Sequence, residues 1–248
     1  MRGYYICLIS IILLGSCTKH QYIITSVRGE YIPVIENKKT DPKMVAMVDH
    51  YKKRMDENMG KVIGRSDLFM NIGLPESLLT NFTSDIMLRL DIKYTEGQTV
   101  DLSIMNVNGH RSPIPKGDIT VGDVFSTYSF DNELVIVRLK GNYLTDVFKA
   151  YAGRGGSGIS YNVKLIIKDK KLIDAKVNGK QVDDDKIYAI VTIDYLAEGN
   201  DAMDALKNAE SVTQAGITLR DYMMDYIKEE AQAGRSISSK TDGRIIVE

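Results

Sequence analysis

Two cysteines and three histidines are all the thiol and imidazole chemistry available to this chain of 248 residues. Cys7 lies inside an apolar run near the start and Cys17 just after it, so no pair is left to bridge the body of the chain. The fold must therefore hold itself together through its core, without a disulfide. An excess of charge is missing too. Lys and Arg number 32 against 33 Asp and Glu, for a net charge of −1, and no basic block occurs. That argues against nucleic acid as a partner. A membrane-spanning run is also absent: the apolar stretch Tyr4 to Leu14 is too short, since crossing about 30 Å of hydrocarbon takes roughly 20 apolar residues. What is present, 44% hydrophobic and 26% charged residues, is the composition of an ordinary globular chain of one or two domains.

The first apolar run has its own meaning. Met1-Arg2 supplies a short positive start, and Leu14-Gly-Ser-Cys17 closes the run with small residues before a cysteine. This resembles a bacterial lipobox, and it predicts a signal peptide over residues 1–16 with lipidation of Cys17. A conventional secretory signal with an incidental cysteine is the alternative. Acyl chains contribute about 0.8 kcal/mol per buried CH₂, so several of them anchor durably. The expected location is the bacterial cell envelope or periplasm, with the protein held by its lipid anchor. Thr18, where an aspartate would retain the protein at the inner membrane, favours the outer one. Residues 17–40 read as the lipidated cysteine and a tether. Within it, Tyr22 to Val27 and Tyr31 to Ile35 flank Arg28-Gly29 and predict a short hairpin or two edge strands, with Pro33 suited to an edge.

From residue 41 onward strands and helices are intermixed. Asp41-Pro42 is a helix start, and Met44, Val48, Tyr51, Met55 and Met59 recur at helical spacing up to Gly60, predicting a packing face. Further helices are expected over Glu76–Leu90, from Asp118 to Thr127, over Asn142–Tyr151 and over Gly216–Ala231. Strands are expected at Lys61–Ile63, Asp101–Met105, Glu133–Leu139, Ile187–Ile193 and Arg244–Val247. Val163–Lys168 and Leu172–Val177 form a hairpin pattern, and Asn178-Gly179 after them is a strong turn signal. The pattern lacks a strict βαβ rhythm, so the fold class is α+β, mixed β-sheets with packed helices, in one domain over residues 41–248.

Several polar and aromatic residues stand out beside turns. Asn106 and Arg111 flank a turn that leaves an apolar strand. Arginine offers a planar fork for phosphate or ribose oxygens, and asparagine both donates and accepts. Turn chemistry and a surface ion pair are the alternative. Phe130 and Tyr195 also adjoin turns; they can stack on a base or bury in the core. Asn132 follows the first of them. Asp201, after Gly199-Asn200, can cap a helix with Asp204 or accept from ribose hydroxyls. The loop Gly153–Gly158 lacks the Lys-Ser/Thr of a phosphate loop and follows a helix instead of preceding one, so it reads as a plain flexible connector, with backbone approach to a ligand as the alternative.

In this order the pieces resemble the C-terminal domain of the 5′-nucleotidase/UDP-sugar hydrolase family. The matching stretches are Pro75–Asp85, Asn106–Arg111, Ile114–Asp123, Ser129–Asn132, Tyr195–Asp201 and Asp242-Gly-Arg-Ile. The resemblance implies that Phe130 and Tyr195 sandwich a base and that Asn132 belongs to the same pocket. It implies that Asp201 holds ribose, and that Asn106 and Arg111 contact the nucleoside and its phosphate side. There are departures. The usual Gly-Gly-Asp-Gly reads Gly199-Asn-Asp-Ala202, Asn108 stands at one glycine place, and Pro75 replaces an arginine often found before the Glu-Ser pair.

Full-length relatives of that kind join this domain to a metallophosphatase domain, in which two metal ions activate water. His20, His50 and His110 provide no Asp-x-His, Gly-Asn-His-Asp/Glu or Gly-His-x-His pattern. The expectation is thus no catalytic or metal-binding residue and no cofactor in this chain. Divalent metals would belong to a separate metallophosphatase chain, to which this lipid-anchored protein presents a nucleotide or nucleoside. The alternative is a non-catalytic, nucleoside-binding surface lipoprotein.

Overall fold

The computed structural model describes residues 24–33, 40–90, 94, 97 and 99–248. The signal-peptide segment, Cys17 and much of the tether lie outside them. The chain divides into two compact units, Met1–Ala46 and Met47–Glu248. In the first, residues 24–33 form no strand and are exposed throughout, so the hairpin expected there is not formed within them. Ile24, Val27 and Ile32 have nothing to bury against, and an isolated two-stranded hairpin is marginal in water.

Helix α1 (Pro42–Met59) forms where Asp41-Pro42 predicts, with the Asp41 Oδ1 accepting from the Lys43 N–H at 2.8 Å. Its apolar stripe is not the packing face expected from its spacing. Met44, Val48, Tyr51 and Met55 are all exposed. Helical spacing arises within one element, whereas burial needs a second surface; of this stripe Met59 alone is half-buried, at the C-terminal end beside Gly122.

The second unit is built on three sheets. The largest has five strands in the order β10 (Ser211–Thr218), β4 (Glu133–Lys140), β9 (Ile187–Ile193), β2 (Leu102–Met105) and β5 (Gly158–Ile159). Only the β2–β9 pair is parallel. Strands β4 and β9 are central and covered on both faces, which is why they read as apolar runs without alternation. A four-stranded sheet orders β11 (Ile245–Val247), β6 (Val163–Lys168), β7 (Lys171–Val177) and β8 (Lys180–Gln181). Asn178 and Gly179 both take positive φ, 52° and 74°, as the tight hairpin turn between β7 and β8 requires. Strands β1 (Val62–Ser66) and β3 (Gly117–Thr120) pair separately. The result is α+β with mixed sheets, as the sequence indicates.

Helix α2 (Leu78–Met87) packs on β2 and β5, and α4 (Gly141–Arg154) packs on β4, β6, β7 and β9. Helix α2 begins after the predicted Glu76 because Ser77 caps it in a reciprocal box with Thr80. Helix α3 (Val121–Thr127) begins after the predicted Asp118, because Gly117–Thr120 is taken up by pairing with β1; Thr120 and Asp123 form its capping box. The last helix, α6 (Leu219–Gln232), is capped by Thr218 and starts later than Gly216. Residues 211–218 form an edge strand with little apolar alternation, which leaves no strand signature in the sequence.

Two stretches that carried the resemblance meet inside this unit. The Arg244 side chain is buried and donates to the Asp85 carboxylate at 2.7 and 3.0 Å, to Asp242 at 2.9 Å and to the Ile159 carbonyl at 2.8 Å. Glu76 accepts from the Gly243 N–H at 2.8 Å and from Asn81 Nδ2 at 2.6 Å. This network fastens the C-terminal segment to α2. Its acids are structural partners of an arginine and are not left over for chemistry.

Candidate functional site

At the end of β2 the chain passes through Asn106 into a 3₁₀ turn, Val107–Gly109. Gly109 is tightly packed there: a Cβ would fall 2.3 Å from Met105 Cε and 2.6 Å from Asn106 Oδ1, so both side chains would have to shift. His110 then turns inward. Its Nε2 lies 2.8 Å from Thr83 Oγ1 and its Nδ1 3.3 Å from the Val107 carbonyl, and its ring meets Tyr128 edge-on. Burial pushes its pKa down to about 4, so at neutral pH it is an uncharged tether for the turn. With His110 anchored in the core, Arg111 is directed outward, its N–H bonded to the Thr127 carbonyl at 2.9 Å.

The opposite wall comes from three other segments. Phe130 and Asn132 sit between α3 and β4, and the Arg111 guanidinium lies 5.9 Å from the Phe130 ring centre. Tyr195 is on the short helix α5 (Asp194–Ala197), with its carbonyl held by Asn200 Nδ2 at 2.9 Å. Asp201 follows in the left-handed conformation, φ 55°, and its side chain reaches back to β2. There Asn106 Nδ2 donates to Asp201 Oδ2 at 2.6 Å, and Arg154 lies 3.6 Å from Oδ1. Asp201 does not cap the 3₁₀ turn Asp204–Asn208, which has no side-chain cap.

Asn106, Arg111, Phe130, Asn132, Tyr195 and Asp201 thus line one cleft of about 320 Å³, joined by Asn108 and Gly109. The two aromatic rings are 48% and 40% exposed, so neither is a core residue. Exposed π-faces above a floor of amide, carboxylate and guanidinium groups can take a flat, polar, hydrogen-bonding ligand.

Other residues at this site escape sequence inspection. Arg220 of α6 is largely buried, stacks on Phe125 at 4.3 Å, and donates to the Tyr128 carbonyl at 3.3 Å and to the Asp131 carboxylate. It clamps the segment that presents Phe130. Nothing in its helical context marks it. Arg154 borders the site through Asp201, again without a local signal. The loop Gly153–Gly158 is not a loose connector. Gly155 ends α4 at φ 85°, Gly156 at φ 128° packs so closely on Pro75 that a Cβ would fall 2.2 Å from its carbonyl oxygen, and Ser157 donates to the Met105 carbonyl at 2.8 Å.

The described residues do not fit a dinuclear metal centre. They include no group of three or more His, Cys, Asp or Glu able to hold an ion, and both nitrogens of the His110 ring are engaged within the fold. No metal-dependent step is assigned to them.

Residues 62–208 match the family described as 5′-nucleotidase, C-terminal domain. Among curated proteins, the chain is 25% identical over 234 residues to the trifunctional nucleotide phosphoesterase protein YfkN of Bacillus subtilis, covering 86% of this chain and 16% of that protein. It is 29% identical over 141 residues to protein UshA of Escherichia coli, covering 55% of this chain and 26% of that one. Among solved structures, a 5′-nucleotidase precursor from Thermus thermophilus superposes with a TM-score of 0.70 at 23% identity, over 83% of this chain and 42% of that one, a likeness of fold. The chain spans less than half the length of each of these three proteins.

Proposed function

From its membership of the 5′-nucleotidase C-terminal domain family, to which this chain belongs, we propose that the protein is the nucleotide-recognising part of a nucleotide-hydrolysing system. The observation that carries this reading is the convergence of six residues from four separate segments on one cleft. In it a base would lie between Phe130 and Tyr195, where stacking is worth about 1–3 kcal/mol, with Asn132 at its polar edge. The Asp201 carboxylate, oriented by Asn106, would accept from ribose hydroxyls, and Arg111 would face the phosphate side.

Recognition alone breaks no bond. Hydrolysis is assigned to a separately encoded metallophosphatase chain, so that the two together would equal one split nucleotidase in nucleotide catabolism. No proton or phosphoryl transfer is assigned to the residues of this chain. We further propose that Cys17 carries a lipid and holds the protein at the envelope, on the outer membrane. Replacing Cys17 by serine should release it from the membrane fraction.

The test of the split enzyme is reconstitution. This protein, a metallophosphatase encoded beside it and a divalent metal should together hydrolyse a nucleoside monophosphate or UDP-sugar, and neither chain should do so alone. No gain on mixing sinks the split enzyme. Retained nucleoside binding in that case would point to a non-catalytic capture lipoprotein.

A further inference from the structure

Thr83 lies on α2, fully buried and outside the cleft. Its hydroxyl nevertheless reaches both walls. Oγ1 is 2.8 Å from His110 Nε2 and 2.8 Å from the Tyr128 hydroxyl. His110 stands between Gly109 and Arg111, in the turn that forms one wall. Tyr128 stands two residues before Phe130, in the segment that forms the other. Thr83 is 27 positions from the first and 45 from the second, so a third element of the fold joins the two.

The direction of each bond follows from its ends. The Val107 carbonyl can only accept, so His110 Nδ1, 3.3 Å away, carries the ring proton and donates. Nε2 of the neutral ring then bears no proton and accepts. The Thr83 hydroxyl has one proton, and it goes to Nε2. Tyr128 Oη must therefore donate to Thr83 Oγ1. The chain runs from Tyr128 through Thr83 and His110 to the Val107 carbonyl, and all three side chains are buried. Burial lowers the His110 pKa and raises that of Tyr128, so both stay neutral and the direction holds. The chain is held from outside as well. Arg220 Nη1 donates to the Tyr128 carbonyl at 3.3 Å, and Asp85, two residues beyond Thr83, accepts from Arg244 at 2.7 Å.

We propose that Thr83 is a positioning residue of the cleft: its hydroxyl fixes the separation of the Asn106–Arg111 turn from the Phe130–Asn132 segment, and so the width open to a flat ligand. This rests on the nucleotide-recognition reading above. A hydroxyl does here what an apolar contact does not. Apolar packing resists compression but tolerates sliding, whereas a hydrogen bond weakens steeply once its angle falls below about 120°. Deleting the hydroxyl leaves Tyr128 Oη and His110 Nε2 both unpaired in the core, and the two walls must shift to satisfy them. Thr83 touches no ligand and acts only through His110 and Tyr128.

The test is calorimetry of the full chain against adenosine and uridine, well below the Tm of every variant, where a loss of stability alone leaves affinity unmoved. Thr83→Val keeps the shape and deletes the hydroxyl, and should weaken nucleoside binding at least about fivefold. Thr83→Ser keeps the hydroxyl and should bind within about twofold of wild type. Tyr128→Phe cuts the chain at one end, so it should weaken binding too and add little on the Thr83→Val background. Nitrogen NMR of the imidazole, assigned by its loss in His110→Gln, should show the Nδ1–H tautomer, with the Nε2 signal displaced in Thr83→Val and restored in Thr83→Ser. Wild-type affinity in Thr83→Val, additive losses in the double variant, or an Nε2–H tautomer overturns the proposal. Should Thr83→Val fail to fold, wild-type affinity in Tyr128→Phe overturns it alone. Wild-type protein that binds neither nucleoside overturns the recognition reading, and the role of Thr83 with it; wild-type protein that binds, with variants that bind equally, overturns only the role of Thr83.

Discussion

The Asn106 amide donates to the Asp201 carboxylate at 2.6 Å, across 95 positions of chain. This bond closes the cleft. It joins the end of β2 to the turn after α5, and it aims a carboxylate that otherwise sits on a short left-handed segment. Asp201→Asn should therefore cost binding twice, by removing the negative acceptor and by loosening the turn. A bond to a charged group contributes about 1.5–3 kcal/mol, so adenosine affinity should fall by at least about tenfold in calorimetry. Equal binding by Asp201→Asn would remove the carboxylate from the site.

Phe130 and Tyr195 are predicted to matter for ligand and little for folding. Each ring is more than a third exposed, so truncation leaves no core cavity. Phe130→Ala and Tyr195→Ala should each lower nucleoside affinity by about 1–3 kcal/mol. Tm should move only slightly, and Tyr195→Phe should bind like wild type. A large fall in Tm would make these rings packing residues.

Arg220 is predicted to act through Phe130 without touching ligand. Its side chain is only 11% exposed and holds the segment that presents the ring, through Tyr128, Asp131 and Phe125. Arg220→Leu should weaken nucleoside binding severalfold, and Phe130→Ala on that background should add little further loss. Additive losses in this double-mutant cycle would break the link.

His110 sets a pH dependence of stability. Its pKa is about 4 in the fold against 6.5 in the unfolded chain, because burial disfavours the charged ring. The neutral form is thus favoured by folding. Its contribution is complete above pH 6.5 and is lost as pH falls from there to about 4. The integrated effect is about 3 kcal/mol. Denaturant midpoints over that interval should fall more steeply for wild type than for His110→Gln, and parallel curves would contradict the assignment.

Ala202 is strained where the related pattern has glycine. Asp201 and Ala202 take φ of 55° and 59°, in a region where a Cβ costs about 1–2 kcal/mol. Ala202→Gly relieves that at some cost in unfolded-chain entropy. It should raise the denaturant midpoint, by about 0.5–1 kcal/mol in stability. A lower midpoint would show that the turn gains more from the methyl group than it loses to strain.

The amino-acid sequence by itself determined whatever is written in short-range pattern. The continuous apolar runs of β4 and β9, the capped start of α1, the Asn178-Gly179 hairpin and the α+β class all follow from local periodicity and turn chemistry. The motif order named the six cleft residues through a family likeness. Tertiary structure decided what spacing does not encode. It left most of the α1 stripe exposed, buried His110 while exposing Phe130 and Tyr195, and turned Gly153–Gly158 from a loose connector into a packed one. It also recruited Arg220 and Arg154, whose local context is silent. The physical reason is common to all of these: periodicity assigns an element its faces, but only the surface that meets a face settles whether it is core or binding site. At this cleft those surfaces come from segments far apart in the chain, joined by bonds such as Asn106 to Asp201.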